Sequence, residues 1–126
     1  MMKTSLEQYN YEITYEVKEE DVRPLFKLEG VITPQDVSGV GLTTRVIFPD
    51  RVNGRVRANL NWSFVTRNTL VFASATEVRP DGTAFIGSAN YIVNNVVPFD
   101  GGVTIIVTIG WDSPISLRVD YLAINP

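Results

Sequence analysis

Alternation of apolar and polar residues with a period of two is the feature that most constrains this chain. Residues 11–17 read Tyr-Glu-Ile-Thr-Tyr-Glu-Val, and residues 56–64 and 115–121 repeat the pattern. Successive side chains of a strand point to opposite faces, so each stretch predicts a half-buried strand. The only helical candidate is a single turn at residues 19–25, which Pro24 limits in length. The chain is therefore predicted to be all-β.

Further strands and turns extend this prediction along the whole chain. We predict strands at residues 25–32, 42–48, 69–78, 83–93 and 103–110, several of them apolar on both faces. Turn signals stand between strands at Asn53-Gly54, Pro80-Asp81-Gly82, Asp100-Gly101-Gly102 and Asp112-Ser113-Pro114. Asn-Gly and Asp-Gly suit tight hairpins because these residues tolerate positive φ. About eight strands at this spacing predict an antiparallel, jelly-roll-like β-sandwich, with a barrel as the alternative.

The length and the charge distribution predict one domain with an acidic arm. A chain of 126 residues fits a single domain. Residues 1–36 carry four basic and eight acidic side chains, although the whole chain has a net charge of only -3. We therefore divide the domain into an acidic N-terminal arm with the first strand, residues 1–22, and a sandwich body, residues 23–126.

The absence of two residue types removes most catalytic chemistry. The chain contains no histidine and no cysteine. Catalytic triads and thiol nucleophiles are therefore impossible, and so are the usual zinc and haem sites. The aspartates and glutamates form no motif for a carboxylate pair or a Ca²⁺ loop. The sequence predicts a protein that is not an enzyme and that needs no cofactor or metal.

Charged and aromatic residues on the predicted first strand and the body suggest contacts between subunits. The acids of the arm are electrostatically complementary to a run of arginines in the body, either within one chain or between neighbours. The solvated face of a strand would give the same pattern. The inter-subunit candidates are Tyr11, Glu12, Glu16, Arg51, Arg55, Arg57 and Arg67. This hypothesis predicts a homo-oligomer.

Aromatic residues provide a second set of binding candidates. Trp62 lies on an apolar strand face and is expected in the core. Trp111 instead follows Gly110 at a strand end and precedes Asp112 in a turn, where it could anchor a partner or stack on a sugar ring. Tyr91 is the third candidate, and a Trp111 that only closes one end of the sandwich is the alternative.

The C-terminal segment resembles the last two strands of H-type lectins. The resemblance rests on residues 102–113, in which a strand that begins at Gly102 leads to Trp111 and Asp112, and on the closing run Val119-Asp-Tyr-Leu-Ala-Ile124. It implies a trimer-forming sandwich in which Trp111 and Asp112 help bind a sugar. The family's sugar-binding arginine has no counterpart here, because no arginine lies between Arg79 and Arg118.

In overall type the chain is also similar to the small, acidic, all-β decoration and cement proteins of tailed bacteriophage capsids. This likeness predicts a structural virion protein on a capsid or tail surface, with a carbohydrate-binding module as the alternative. The N-terminus lacks the apolar region of a signal peptide, and no apolar run approaches the roughly 18 residues of a membrane span. A net charge of -3 argues against nucleic acid as the partner. We expect synthesis in the host cytoplasm and a place in the virion, or otherwise a cytoplasmic protein.

Overall fold

A computed structural model describes residues 12–18, 23–29 and 40–126 of the chain. The described residues form nine β-strands, which alternate with turns and short connections. The strands are β1 Glu12–Val17, β2 Arg23–Glu29, β3 Val40–Ile47, β4 Gly54–Asn61, β5 Leu70–Val78, β6 Ala84–Phe85, β7 Asn90–Phe99, β8 Gly102–Gly110 and β9 Arg118–Asn125. In the part of the chain that the structure describes, we find no helix whose length and apolar character would let it cross a membrane.

The strands form two sheets that pack face to face. The four-stranded sheet has the order β1-β4-β8-β7, and the five-stranded sheet has the order β2-β3-β9-β5-β6. All pairs are antiparallel except β1 and β4, which run parallel. The predicted all-β sandwich is confirmed, with the parallel first strand as the departure from a purely antiparallel pattern.

The core lies between the sheets and is formed by alternate residues of the central strands. Burial alternates along β4, so that Val56, Ala58 and Leu60 face inward while the residues between them face outward. The facing sheet contributes inward residues of β9, and Trp62 is buried in the same cluster, as its strand pattern predicted. This alternation is the period-two pattern of the sequence expressed in three dimensions.

Several local predictions are wrong, each for a physical reason. Residues 23–25 of the predicted helical turn lie in β2, and residues 19–22 are outside the described part of the chain. Gly54 has the expected positive φ of 70°, yet Asn53-Gly54 makes no hairpin, because β3 and β4 belong to different sheets. The predicted strand at 83–93 is divided into β6 and β7. The last strand begins at Arg118, three residues later than its alternation began.

Two groups of connections close the ends of the sandwich. At the end where β3 stops and β4 begins, here called the upper end, Val52 and Ile115 exchange backbone hydrogen bonds of 2.8 and 2.9 Å. At the opposite, lower end, the backbone N–H groups of Trp62 and Gly101 donate at 2.8 Å to Gly101 and Val65. The upper end therefore holds residues 48–53, the β5–β6 turn and residues 111–117.

Removal of one buried hydroxyl should stabilise the fold. The Tyr121 ring is buried and packs edge-on against Trp62 at a centroid distance of 6.3 Å, but its hydroxyl has no hydrogen-bond partner among the described residues. Burial accordingly raises the pKa of Tyr121. An unsatisfied buried polar group costs about 1–3 kcal/mol, so Tyr121→Phe should raise the free energy of unfolding by about 1 kcal/mol. Urea denaturation measures this change, and a loss of stability would contradict it.

Candidate interaction surfaces

The predicted pair Trp111 and Asp112 lies at the upper end, immediately after β8. The Trp111 side chain is 38% exposed, and Asp112 is exposed in the bend that follows. The backbone of Trp111 is anchored, since its N–H donates to the Ile109 carbonyl at 3.1 Å and its carbonyl accepts from Asn53 Nδ2 at 3.1 Å. A partly exposed indole on a fixed backbone can meet a partner with little loss of conformational entropy.

Tyr91, the third binding candidate, has a different environment. It lies at the start of β7 and packs partly buried against the core. Its hydroxyl donates a hydrogen bond to the backbone carbonyl of Ser116. Burial, together with the nearby Glu77 carboxylate, raises the pKa of Tyr91. The ring and the hydroxyl are thus both engaged within the sandwich, whereas Trp111 lies on the loop surface.

A cleft of about 440 Å³ opens at the upper end between residues 47–51 and the β5–β6 turn. Arg51, Glu77 and Arg79 line it together with apolar side chains, and Arg51 forms no ion pair within the described chain. The Arg79 guanidinium lies over the Phe85 ring, 4.9 Å from its centroid. The cleft therefore combines hydrogen-bond donors, a carboxylate and aromatic surface.

The arm and the body are complementary within a single chain. Glu12 Oε1 accepts from Arg55 Nε at 2.9 Å, and Glu12 Oε2 accepts from Arg57 Nε at 3.1 Å. These two hydrogen bonds hold the pKa of Glu12 below its usual range. Glu16 Oε1 accepts from Asn59 Nδ2 at 2.6 Å in the same ladder. These contacts arise because β1 lies beside β4 in parallel register. A contribution of the same residues to contacts between subunits remains a prediction.

The other inter-subunit candidates lie apart from this ladder. Arg67 is at the lower end, where its Nη2 donates to Asp100 Oδ2 at 2.7 Å and lowers the pKa of that carboxyl. Arg51 is at the upper end, and Tyr11 is outside the described residues. The described candidates therefore lie at both ends of the sandwich and on the face of the four-stranded sheet, and they do not form one continuous surface. Within residues 12–18, 23–29 and 40–126, no three Asp or Glu side chains lie together as ligands for a metal ion.

Sequence reasoning missed an apolar surface on one side of the sandwich. The strands β5 and β7 are neighbours in different sheets, and we call this pair of strands, with their outward-facing side chains on the two outer faces of the sandwich, the open flank. Most of the large exposed apolar side chains of the described chain lie on these two strands: Leu70, Phe72, Ile92, Val97 and Phe99. The signal was present in the two-sided apolar character of residues 69–78, but the sequence could not tell whether the second face was covered.

Trp111 supports a direct test of the upper end. Trp111→Ala removes a side chain that is 38% exposed and belongs to no core cluster, so the free energy of unfolding should fall by less than about 1 kcal/mol. If Trp111 anchors a partner, the mutation should weaken that complex by about 2 kcal/mol or more. Thermal denaturation measures the first effect, and light scattering measures the second as a change in self-association. A loss of several kcal/mol of stability would instead assign Trp111 to the closure of the sandwich.

Comparison with known proteins gives one structural likeness. No protein-family model and no curated protein matches the chain. Among solved structures it is similar to the R1 pyocin fiber of P. aeruginosa, in a structure that comprises C-terminal residues 323–701, with a TM-score of 0.49 and 17% sequence identity over 73% of this chain. The chain spans about a quarter of that structure's length, 24%. None of these comparisons concerns H-type lectins, so that resemblance remains a prediction.

Proposed function

We propose that this protein is a non-enzymatic structural protein that forms homo-oligomers and binds other proteins of a bacteriophage virion, as a capsid decoration, cement or tail-surface protein. The observation that carries the proposal is the open flank. On β5, Phe72 is 58% exposed and Leu70 is 46% exposed on the outer face of the five-stranded sheet, and β7 adds three further apolar side chains on the outer face of the four-stranded sheet. The acidic, cysteine-free, all-β character of the chain is the reason for placing the assembly in a virion.

Burial of the open flank can supply the affinity that such an assembly needs. Full burial of one large apolar side chain contributes about 1.5–3 kcal/mol relative to an exposed one. Several such side chains therefore outweigh the contribution of exposed ion pairs, which is typically below about 1 kcal/mol each. Large apolar side chains that stay exposed together on a folded domain often mark an interaction site.

The charged residues support a structural role over a catalytic one. Glu12 joins two arginines on the face of the four-stranded sheet. Asp120 likewise joins Arg45 and Arg118 on the five-stranded sheet, at 2.8 and 3.0 Å. In both places the carboxylate accepts charge-assisted hydrogen bonds that link neighbouring strands and fix their register. Ion pairs that hold neighbouring strands in register make the sheet surface rigid, and an assembly protein needs a rigid surface to make the same contacts in every copy.

A second candidate function, saccharide binding, is favoured by the upper cleft. Arg51 and Glu77 offer a donor group and an acceptor group there, and Phe85 offers an aromatic surface, which together suit the hydroxyls and the apolar face of a sugar. A glycan array separates this function from the first. Binding that is lost in Arg51→Ala would support it, and an array without any signal would count against it.

Light scattering on two matched variants tests the structural proposal. We expect the intact protein to be an oligomer, and Phe72→Ser should weaken its association at least about tenfold, because an anchor of this size contributes more than about 1.4 kcal/mol. Ile86→Ser is the control, since Ile86 is 100% exposed and lies outside the open flank. A protein that stays monomeric at millimolar concentration, or an equal loss in both variants, would overturn the proposed homo-oligomer.

A further inference from the structure

The edges of the two sheets differ in how they are protected from pairing with other chains. Natural edge strands usually carry charges, prolines or bulges that discourage such pairing. The edge strand β1 carries Glu12 and Glu16, and the sequence of β2 contains Pro24 and three charged residues. The edge strand β7 contains Pro98 and shifts its register between Val93 and Asn95. Three edges therefore have the usual protection.

The remaining edge, formed by β5, has none of these features. Residues 70–76 read Leu-Val-Phe-Ala-Ser-Ala-Thr, without a charge or a proline. β9 pairs with this stretch on one side, whereas β6 pairs only with Glu77 and Val78 on the other. Outside the strand ladders, no backbone hydrogen bond among the described residues reaches residues 70–76. An unprotected edge of seven residues is therefore available for a further strand.

We propose that this edge pairs antiparallel with the same edge of a second copy of the chain, about a two-fold axis at Ala73. The inference rests on the proposed function, because it names the surface through which the protein assembles. In this register Leu70 lies opposite Thr76 of the partner subunit, and Phe72 lies opposite Ser74 of the partner subunit. The two five-stranded sheets become one continuous sheet across the axis.

The length of the edge fits this register. The β6 strand occupies the edge from Glu77 onward, so pairing must stop at Thr76. At the other end, Thr69 is buried and hydrogen-bonded to Asn125, so the chain turns away before Leu70. Two such seven-residue edges, each centred on Ala73, therefore pair along their whole length. A two-fold contact requires a surface that is complementary to itself, and an antiparallel strand pair meets this requirement.

The side chains fit as well. On the outer face the register places each large residue opposite a small one, so the Phe72 ring lies over Ser74 of the partner subunit. Ser74 borders a shallow groove of about 310 Å³ that Phe72 of the same chain also lines, together with Thr43, Asp120 and Leu122, and the partner's ring packs at its rim beside Ser74. Asp120 pairs with both Arg45 and Arg118, so these neighbouring side chains leave a net charge of only +1 beside the groove.

Disulfide trapping tests the register directly, because the chain contains no cysteine. We would prepare Leu70→Cys and Thr76→Cys as separate proteins, one with an affinity tag, and mix them under mild oxidation. The proposed register brings these two positions together, while identical positions of two copies lie about 20 Å apart at six residues' separation. We expect a disulfide-linked heterodimer from the mixture and none from either protein alone. Equal linking in all three samples, or none in the mixture, would overturn the register.

A second pair of variants separates this proposal from the proposed function. Ser74→Lys places a charge on the edge opposite Phe72 of the partner subunit and should weaken association at least about tenfold by light scattering. Ser88→Lys is the matched control, since Ser88 is exposed and lies outside every strand. If the protein is oligomeric but neither Ser74→Lys nor the trapping has an effect, the β5 edge is not the interface and the assembly function stands. If the intact protein is monomeric, both proposals fail.

Discussion

Gly102→Ala is expected to destabilise the protein by about 3 kcal/mol. Gly102 begins β8 and lies opposite Asn61 of β4 and Phe99 of β7. A Cβ at this position would stand 2.3 Å from the backbone carbonyl oxygen of Leu60 and 2.7 Å from the Phe99 ring. The ring can move aside, but the carbonyl belongs to a central strand, so the clash must be relieved by backbone displacement. Overpacking of this kind typically costs about 1–3 kcal/mol and occasionally more.

The adjacent glycine supplies the control for this prediction. Gly101 has a positive φ of 98°, and a Cβ there would meet nothing within 4 Å. Gly101→Ala therefore adds only backbone strain, which we expect to cost about 1 kcal/mol. Urea denaturation of both variants measures the difference. Equal losses, or a greater loss for Gly101→Ala, would show that conformational freedom and not close approach explains the paired glycines of this hairpin.

Much of the fold followed from local patterns. The alternation in residues 11–17 and 56–64 gave strands where the structure has β1 and β4, because a half-buried strand shows its two faces in the sequence itself. The Pro80-Asp81-Gly82 turn forms the β5–β6 hairpin, in which the backbone N–H of Gly82 donates to Arg79 at 2.8 Å. Such turns are determined by residues within four positions of each other, so they can be predicted from the local sequence alone.

The errors arose where distant parts of the chain decide the outcome. Asn53-Gly54 has the residues of a hairpin, but the strands on either side pair with β9 and β8 instead of with each other. Local turn chemistry does not record which sheet a strand joins. Likewise, residues 23–25 have a sequence that allows a helical turn, yet they pair with β3 as part of a strand. Tertiary pairing overrides weak local propensity in both cases.

The interaction surfaces were predictable only in part, for a related reason. The sequence indicated that arm acids complement body arginines, but only the parallel register of β1 and β4 assigns Glu12 to Arg55 and Arg57. The open flank depends on which of two apolar faces of β5 the rest of the chain covers. Val71, Ala73 and Ala75 face the core, and the alternate residues stay uncovered within the chain. Only the packed structure shows which of these two faces of β5 is covered.

Ile105→Ala is expected to cost about 3–4 kcal/mol, the largest effect of any single substitution considered. Ile105 is 0% exposed in the centre of β8, between Ala58 of β4 and Val96 of β7. Truncation removes buried apolar surface and leaves a cavity that central strands, fixed by ladders on both sides, cannot collapse to fill. Ile86→Ala makes the same chemical change at a fully exposed site and should stay within about 0.5 kcal/mol of the parent. Urea denaturation should show a lower midpoint with an unchanged slope for Ile105→Ala alone. A small effect there would mean that the two sheets are less tightly packed than the buried core indicates.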